Sequence, residues 1–366
     1  MTTSAAISAI VLAAGEGTRM RSERPKPLHL ICGRPMVMHV IHSLEGLPIA
    51  RTVVVVGHNA ERVTKKVQEQ APSWASVSFV EQAVQRGTGD ATVVGLSSFD
   101  GDGADMDDTS TVIVLPGDTP LLERHTIAQL VEIHESTGSA ATVLTARMDD
   151  PSGYGRIVRA KDGRVMRIVE QRDANEEEVA INEINTGIYA FRRDLLGPAL
   201  RRISNNNSQA EYYLTDAVEV LASMGHRVAG VEAPAAETAG VNDRWQLALA
   251  ERELRARTNK TWLLSGVTML DPRQTFIDVT VSIGRDVTLF PGVLLQGDTT
   301  IGDGCDIGPQ TRLVDCVVGP RAVVENTVAR ESEIGADAIV GPFASLEAGS
   351  SVAAGARTGA FYTGTA

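Results

Sequence analysis

From Ile283 onward apolar residues return every sixth position: Ile283, Leu289, Leu295, Ile301, Ile307 and Leu313. The register slips and resumes at Val318 and Val324, then again at Ile334, Val340, Leu346 and Val352. Glycine follows several of them, at Gly284, Gly302, Gly308, Gly319, Gly335 and Gly341. A repeat unit this short cannot bury its own apolar face and must stack on its neighbours. The period predicts a parallel β-helix, each coil placing one apolar residue on each of three short faces.

The amino-terminal part reads differently. Ile7–Leu12 is a short β-branched run suited to a buried strand. It opens into Ala13-Ala14-Gly15-Glu16-Gly17-Thr18, small residues that let the backbone approach a ligand closely. Four cations follow within eight positions: Arg19, Arg21, Arg24 and Lys26. A strand feeding a glycine turn and a basic segment suits a polyphosphate, because backbone N–H groups wrap the anion while fixed cations neutralise it. The bland alternative is a simple turn. Met20 stands where the dinucleotide fingerprint needs its third glycine, and Gly-Lys-Ser/Thr is absent, so neither common phosphate motif applies. The Glu16 side chain is expected to point to solvent.

Strand and helix patterns then alternate, which implies a parallel sheet with right-handed crossovers. A helix is expected from Pro35 through about Leu47, carrying His39 and His42 in structural roles. A second small-residue turn, Gln82 to Ala91, follows the strand Val77–Glu81. The Gln82 amide has a donor and an acceptor with which to read a nucleobase edge, whereas the plain reading makes Thr88 a helix cap. Residues 99–109, acidic and glycine-rich, are expected to form a solvated surface loop. Asp118, in Pro116-Gly117-Asp118, falls beyond the end of the apolar strand Thr111–Leu115, where open parallel sheets bind ligands and where a carboxylate can hold Mg²⁺ against phosphate. Helix capping is its alternative role. Beyond Ala140 the pattern turns strand-rich, with Glu170 and Asn185 at strand ends suited to sugar hydroxyls, and Arg172–Glu178 reads as a mobile flap.

A length of 366 residues suggests two domains, expected at 1–243 and 263–366 with a linking helix over 244–262. The net charge of −12 argues against a nucleic-acid partner or an anionic membrane surface. Cys32, Cys305 and Cys316 have no paired spacing, so reduced thiols in a cytoplasm are expected. No run reaches the roughly 18 apolar residues of a membrane span, and the apolar start lacks a signal peptide's basic flank.

Leu12-Ala13-Ala14-Gly15, followed by Gly17-Thr18-Arg19-Met20 and Pro25-Lys26, resembles the sugar nucleotidyltransferases. Several further motifs make the chain similar to the N-acetylglucosamine-1-phosphate uridyltransferase half of the bifunctional GlmU enzymes. They are Gln82 with Gly87-Thr88, Gly117-Asp118, Tyr154-Gly155-Arg156, Glu170, Asn185-Thr186-Gly187, Glu211–Asp216 and Val241-Asn242. The resemblance implies an α/β fold: a Rossmann-like, mostly parallel nucleotidyltransferase domain, then a short left-handed parallel β-helix that assembles as a homotrimer. It assigns Leu12, Ala13, Ala14, Gly15, Gln82, Gly87 and Thr88 to the uridine nucleotide, Arg19 and Lys26 to the triphosphate, and Asp118 and Asn242 to Mg²⁺. Gly155, Glu170 and Asn185 go to the sugar. The implied substrates are UTP and N-acetylglucosamine 1-phosphate, and the product is UDP-N-acetylglucosamine for cell-envelope synthesis. The resemblance fades at Gly341–Glu347, where the family has a basic residue in place of Glu347. The expectation is therefore that acetyltransferase activity is absent and that the last coil is left open.

Overall fold

A computed structural model describes residues 7–99 and 110–365. The acidic loop expected over 99–109 lies outside the described residues, Phe99 apart. The chain divides into two compact units, one of residues 1–29 and 35–247 and one of residues 30–34 and 248–366.

In the first unit, the strands β1 (Ile7–Ala13), β2 (Ile49–Val56), β3 (Val77–Glu81) and β4 (Thr111–Pro116) are mutually parallel. The sheet continues through β5 (Ala141–Arg147), β8 (Glu183–Arg192) and β9 (Val228–Glu232), with β8 antiparallel to both β4 and β5. Its strand order is β9-β5-β8-β4-β1-β2-β3. A hairpin of β6 (Arg156–Arg159) and β7 (Val165–Val169) joins it through Arg156 and Ile184.

The apolar run of β1 is continuous because both faces of the strand are covered. Ala9, Val11 and Ala13 pack with Val37 and Val40 of α1 (Met36–His42), Val63 and Val67 of α2 (Ala60–Gln70), and Ile127 and Leu130 of α4 (Arg124–Thr137). Ile10 and Ala14 face the opposite way, toward Ala91 of α3 (Thr88–Ser97), Leu196 of α5 (Arg193–Leu200) and Ala217 of α6 (Leu214–Ser223). The helix expected to reach Leu47 ends at His42, after which the backbone turns through Leu44 and Glu45. His39 is buried, and His42 meets the edge of Trp74, so both are packing residues. The segment expected as a flap contains a helical turn, Glu176–Val179, with a reciprocal cap between Asn175 and Glu178. Arg167 donates to the buried Glu178 carboxylate, which pins the segment to β7.

The second unit is a β-helix with three parallel sheets. One stacks Leu289, Ile307, Val324 and Val340, a second stacks Leu295, Leu313, Ala329 and Leu346, and a third runs from Ile283 through Ile301, Val318 and Ile334 to Val352. Leu289 pairs with Ile307, Ile307 with Val324 and Val324 with Val340, so successive coils shorten from 18 to 17 to 16 residues. The register slips are corners that lose one residue: Asp315-Cys316 and Glu331-Ser332 turn where Gly297-Asp298-Thr299 turned before, and Glu325-Asn326-Thr327 turns where Gly308-Pro309-Gln310-Thr311 did, so the 16-residue coil loses two. Asp315 and Glu331 adopt φ of 53° and 43°, which closes the tighter corner. Coils pack closely at the glycine positions; a Cβ on Gly319 would lie 2.5 Å from the Ala336 backbone nitrogen. Residues 30–34 are held to this unit by the Cys32 N–H, which donates to Glu251 Oε2 at 2.7 Å, and by the Cys32 carbonyl, which accepts from Val279. Helix α7 (Arg244–Leu264) carries the chain from one unit to the next. Among the described residues no helix is long and apolar enough to cross a membrane.

Each buried column residue of the solenoid fills a site between two coils. Leu313→Ala is expected to destabilise the solenoid by roughly 2–5 kcal/mol, the range for buried leucine truncation. Calorimetry should show this as a lowered transition for the second unit.

Candidate active site

The loops beyond the carboxyl ends of β1, β3 and β4 open onto one cleft of about 370 Å³ in the first unit. Leu12, Ala13, Ala14 and Gly15 form one wall, continued by Lys26. The Gly117 N–H donates to the Leu12 carbonyl at 2.8 Å, joining the β1 and β4 loops. Gly17 (φ 65°) is required by close approach: a Cβ there would lie 2.5 Å from the Lys26 Cβ. The absence of a side chain thus lets the lysine stem run past the turn into the cleft. Glu16 is exposed, as expected.

Lys26 Nζ donates to Asp118 Oδ2 at 2.5 Å and to Asn242 Oδ1 at 2.8 Å. Arg19 Nη2 donates to the same Asn242 oxygen at 3.0 Å. The Val241 N–H donates to the Asp118 carbonyl at 2.9 Å, which sets Asn242 beside the aspartate. Asp243 Oδ1 accepts from the Gln246 N–H at the start of α7, and Gln246 Oε1 accepts from the Asn242 N–H. Arg244 Nε donates to the Met20 carbonyl and so secures the turn that carries Arg19. Arg21 and Arg24 remain exposed at the surface and do not line the cleft.

The second wall is Gln82, Gly87 and Thr88. Thr88 does not cap α3, since Gly87 holds that position without a side-chain bond. Its hydroxyl oxygen instead accepts the Leu214 N–H at 3.0 Å, and the Gly89 N–H donates to the Tyr212 carbonyl at 2.8 Å. The segment before α6 is thereby clasped to the base of the loop. Gln85, passed over in the sequence reading, donates its amide to the Ala14 carbonyl at 3.0 Å and joins the two walls. Its only sequence signal is a second amide in the same turn.

Glu170 and Asn185 lie at the third side. Gly155 does not itself line the cleft, but its carbonyl accepts the Asn185 N–H at 2.8 Å, and its Cα hydrogens face both side chains. The β5–β8 pairing breaks between Asn185 and Tyr189, where Gly187 has φ 78°. This bulge turns Asn185 toward the cleft. Thr215, within the Glu211–Asp216 motif, donates its hydroxyl to Glu170 Oε1 at 3.3 Å. Burial raises the Glu170 carboxyl above its usual range, and Asp216, Asp173 and Glu211 add to the rise against the Thr215 bond.

The three walls thus join hard oxygens, fixed cations and buried hydrogen-bonding side chains. Asp118 and Asn242 direct two oxygens at a single ammonium, and that oxygen pair is suited to a divalent cation. The arrangement can bring two phosphate-bearing molecules together and neutralise them.

Asp216, in the first turn of α6, is pushed up to about 6 by burial, with Glu219 and Asp173 adding like charge. The folded protein keeps this proton to a higher pH than the unfolded chain, whose carboxyl titrates at 3.8. Its contribution to stability is full below that value and lost as pH rises through about 6. Asp216→Asn should flatten the dependence of Tm on pH between 4 and 6 and raise Tm at neutral pH, as read by differential scanning fluorimetry.

Residues 8–246 match the nucleotidyl transferase family. The bifunctional protein GlmU of Streptomyces avermitilis is 48% identical over 356 residues, covering 96% of this chain and 72% of that protein. GlmU of Mycobacterium marinum is 46% identical over 354 residues, covering 96% and 71%. The Halalkalibacterium halodurans protein is 42% identical over 354 residues, covering 96% and 75%. A UDP-glucose pyrophosphorylase solved in complex with UDP-glucose aligns with a TM-score of 0.54 at 16% identity, covering 69% of this chain and 99% of that one, a likeness of fold. On this sequence identity, and with the cleft at the ends of the parallel strands, the chain belongs to the nucleotidyl transferase family and, within it, to the GlmU proteins.

Proposed function

We propose that this nucleotidyltransferase transfers a uridylyl group from UTP to N-acetylglucosamine 1-phosphate, releasing pyrophosphate and forming UDP-N-acetylglucosamine for the cell envelope. The observation that carries the reading is the convergence of Lys26, Arg19, Asp118 and Asn242 beside a cleft whose far side holds Glu170 and Asn185. A phosphate oxygen of the sugar phosphate attacks the α-phosphorus of UTP. A new P–O bond forms as the bond to the β-phosphate oxygen breaks, and pyrophosphate leaves with the electron pair. Such a displacement needs little covalent help, and its cost lies in aligning two anions and stabilising the charge that develops.

Lys26 and Arg19 supply fixed positive charge to the triphosphate, and Ala14 and Gly15, which line the cleft, let the backbone approach it closely. Leu12, Ala13, Ala14 and Gly15 bound the nucleotide on one side, with Gln82, Gly87 and Thr88 on the other. Glu170, held by Thr215, and Asn185, set by the Gly155 carbonyl, take the sugar's hydroxyl and amide groups. Asp118 and Asn242 are the residues that would hold Mg²⁺, which when bound supplies charge neutralisation at the phosphate oxygens. The exposed Val317 and Val328 on the solenoid surface suit packing against other copies, and a homotrimer is the assembly proposed. Three buried free thiols suit a reducing cytoplasm, the compartment proposed.

Pyrophosphate release assayed across four nucleoside triphosphates and several sugar 1-phosphates should favour UTP with N-acetylglucosamine 1-phosphate. A different preferred pair, or no turnover, would overturn the reading. Lys26→Met and Arg19→Ala should each lower kcat by about 10²–10³, the scale for removing one electrostatic stabiliser. Glu170→Gln should act mainly on the KM of the sugar phosphate, raising it about tenfold, as the loss of one charged hydrogen bond would.

A further inference from the structure

Gln82 is 4% exposed, so the orientation of its amide is set inside the protein. Its Nε2 donates to Asp90 Oδ2 at 2.8 Å and to the Gly87 carbonyl at 3.3 Å. Both partners are acceptors only, because an ionised carboxylate and a backbone carbonyl have no proton to give. They claim the two amide hydrogens, so the amide cannot reverse without setting its own oxygen against theirs. Oε1 has no protein partner among the described residues, and Gln82 lines the cleft. The side chain therefore presents an acceptor to the ligand, with its donors turned away.

We propose that Asp90 is a positioning residue for base selection: it locks Gln82 as an acceptor, so that the cleft takes a pyrimidine with N–H at N3 and disfavours one with a bare N3. This rests on the uridylyl-transfer reading above and deepens it. Uracil carries a hydrogen at N3 and pairs with Oε1. Cytosine carries a lone pair there, which would face the Oε1 lone pairs and leave both groups unsatisfied. Sites built around such a buried hydrogen bond discriminate by leaving the wrong partner unpaired. Asp90 also occupies the first turn of α3, where any carboxylate gains from the helix dipole. That plain role would affect stability and would leave base preference untouched.

The two roles separate in Asp90→Asn, which keeps the shape and adds a donor. The introduced amide can hold Gln82 in either orientation, and the reversed Gln82 offers N–H groups to the cleft. Steady-state kinetics with UTP and with CTP, N-acetylglucosamine 1-phosphate and Mg²⁺ should show KM for UTP raised about tenfold with kcat within about threefold. The UTP-to-CTP ratio of kcat/KM should narrow about tenfold or more. An unchanged ratio in a variant with a normal unfolding transition, or an equal loss toward both nucleotides, overturns the inference. Should Asp90→Asn not fold, Asp90→Ala, which leaves the Gly87 carbonyl as sole holder, is read by the same ratio. A wild-type protein that turns over no UTP refutes the uridylyl reading itself, whereas an active wild type with a variant ratio unchanged refutes only the role of Asp90.

Discussion

The bond from Lys26 to both Asp118 and Asn242 joins three stretches that are far apart in the chain: the basic segment after β1, the turn after β4 and the entrance to α7. Each side chain alone is an ordinary surface group at the end of an element. Together they make a small field of alternating charge at the cleft mouth, half-shielded from solvent, with side-chain exposure of 13% for the lysine and 26% for the aspartate. Partial burial strengthens the pairing because fewer waters screen it. In the proposed reaction the same three groups would exchange protein partners for phosphate oxygens and a divalent cation.

The surroundings hold that arrangement in place through backbone bonds. The Val241–Asp118 and Gly117–Leu12 bonds fix the loops, Gly17 admits the lysine stem, and Arg244 ties the Arg19 turn to the start of α7. On the third wall of the cleft, the bulge at Gly187 and the Thr215 hydroxyl orient Asn185 and Glu170 in the same way. Burying Glu170 among Asp173, Glu211 and Asp216 raises its carboxyl, a cost that a sugar's hydroxyl donors would offset.

Much of this was legible from residue order. The solenoid could be read because a period of six resumes after each shortened corner, and the corners at Asp315, Asn326 and Glu331, each one residue short, explain the apparent slips. Among the column residues outside the sequence pattern is Ala329, fully buried but too small to stand out as a hydrophobic repeat. The cleft residues Leu12–Gly15, Lys26, Gln82, Gly87, Thr88, Asp118, Glu170 and Asn185 could be named because strand ends and small-residue turns mark them. The helical turn that begins within Arg172–Glu178 was not legible, because its charge suggests solvent while its capping box and the Arg167–Glu178 pair are local partners that only the fold brings out.

Order in the chain by itself determined the two architectures, the phosphate-type turn and the chemical kinds of side chain available to the site. Those follow from periodicity and from residues whose local geometry has few alternatives. Tertiary structure decided which polar groups are consumed by the protein and which are left for a ligand. Thr88 went to the Leu214 N–H rather than to its own helix, and the donors of Gln82 went to Asp90 and Gly87, leaving its oxygen to the cleft. Hydrogen-bond direction depends on what stands opposite in space, and residues brought together across the fold leave no periodic trace in the chain.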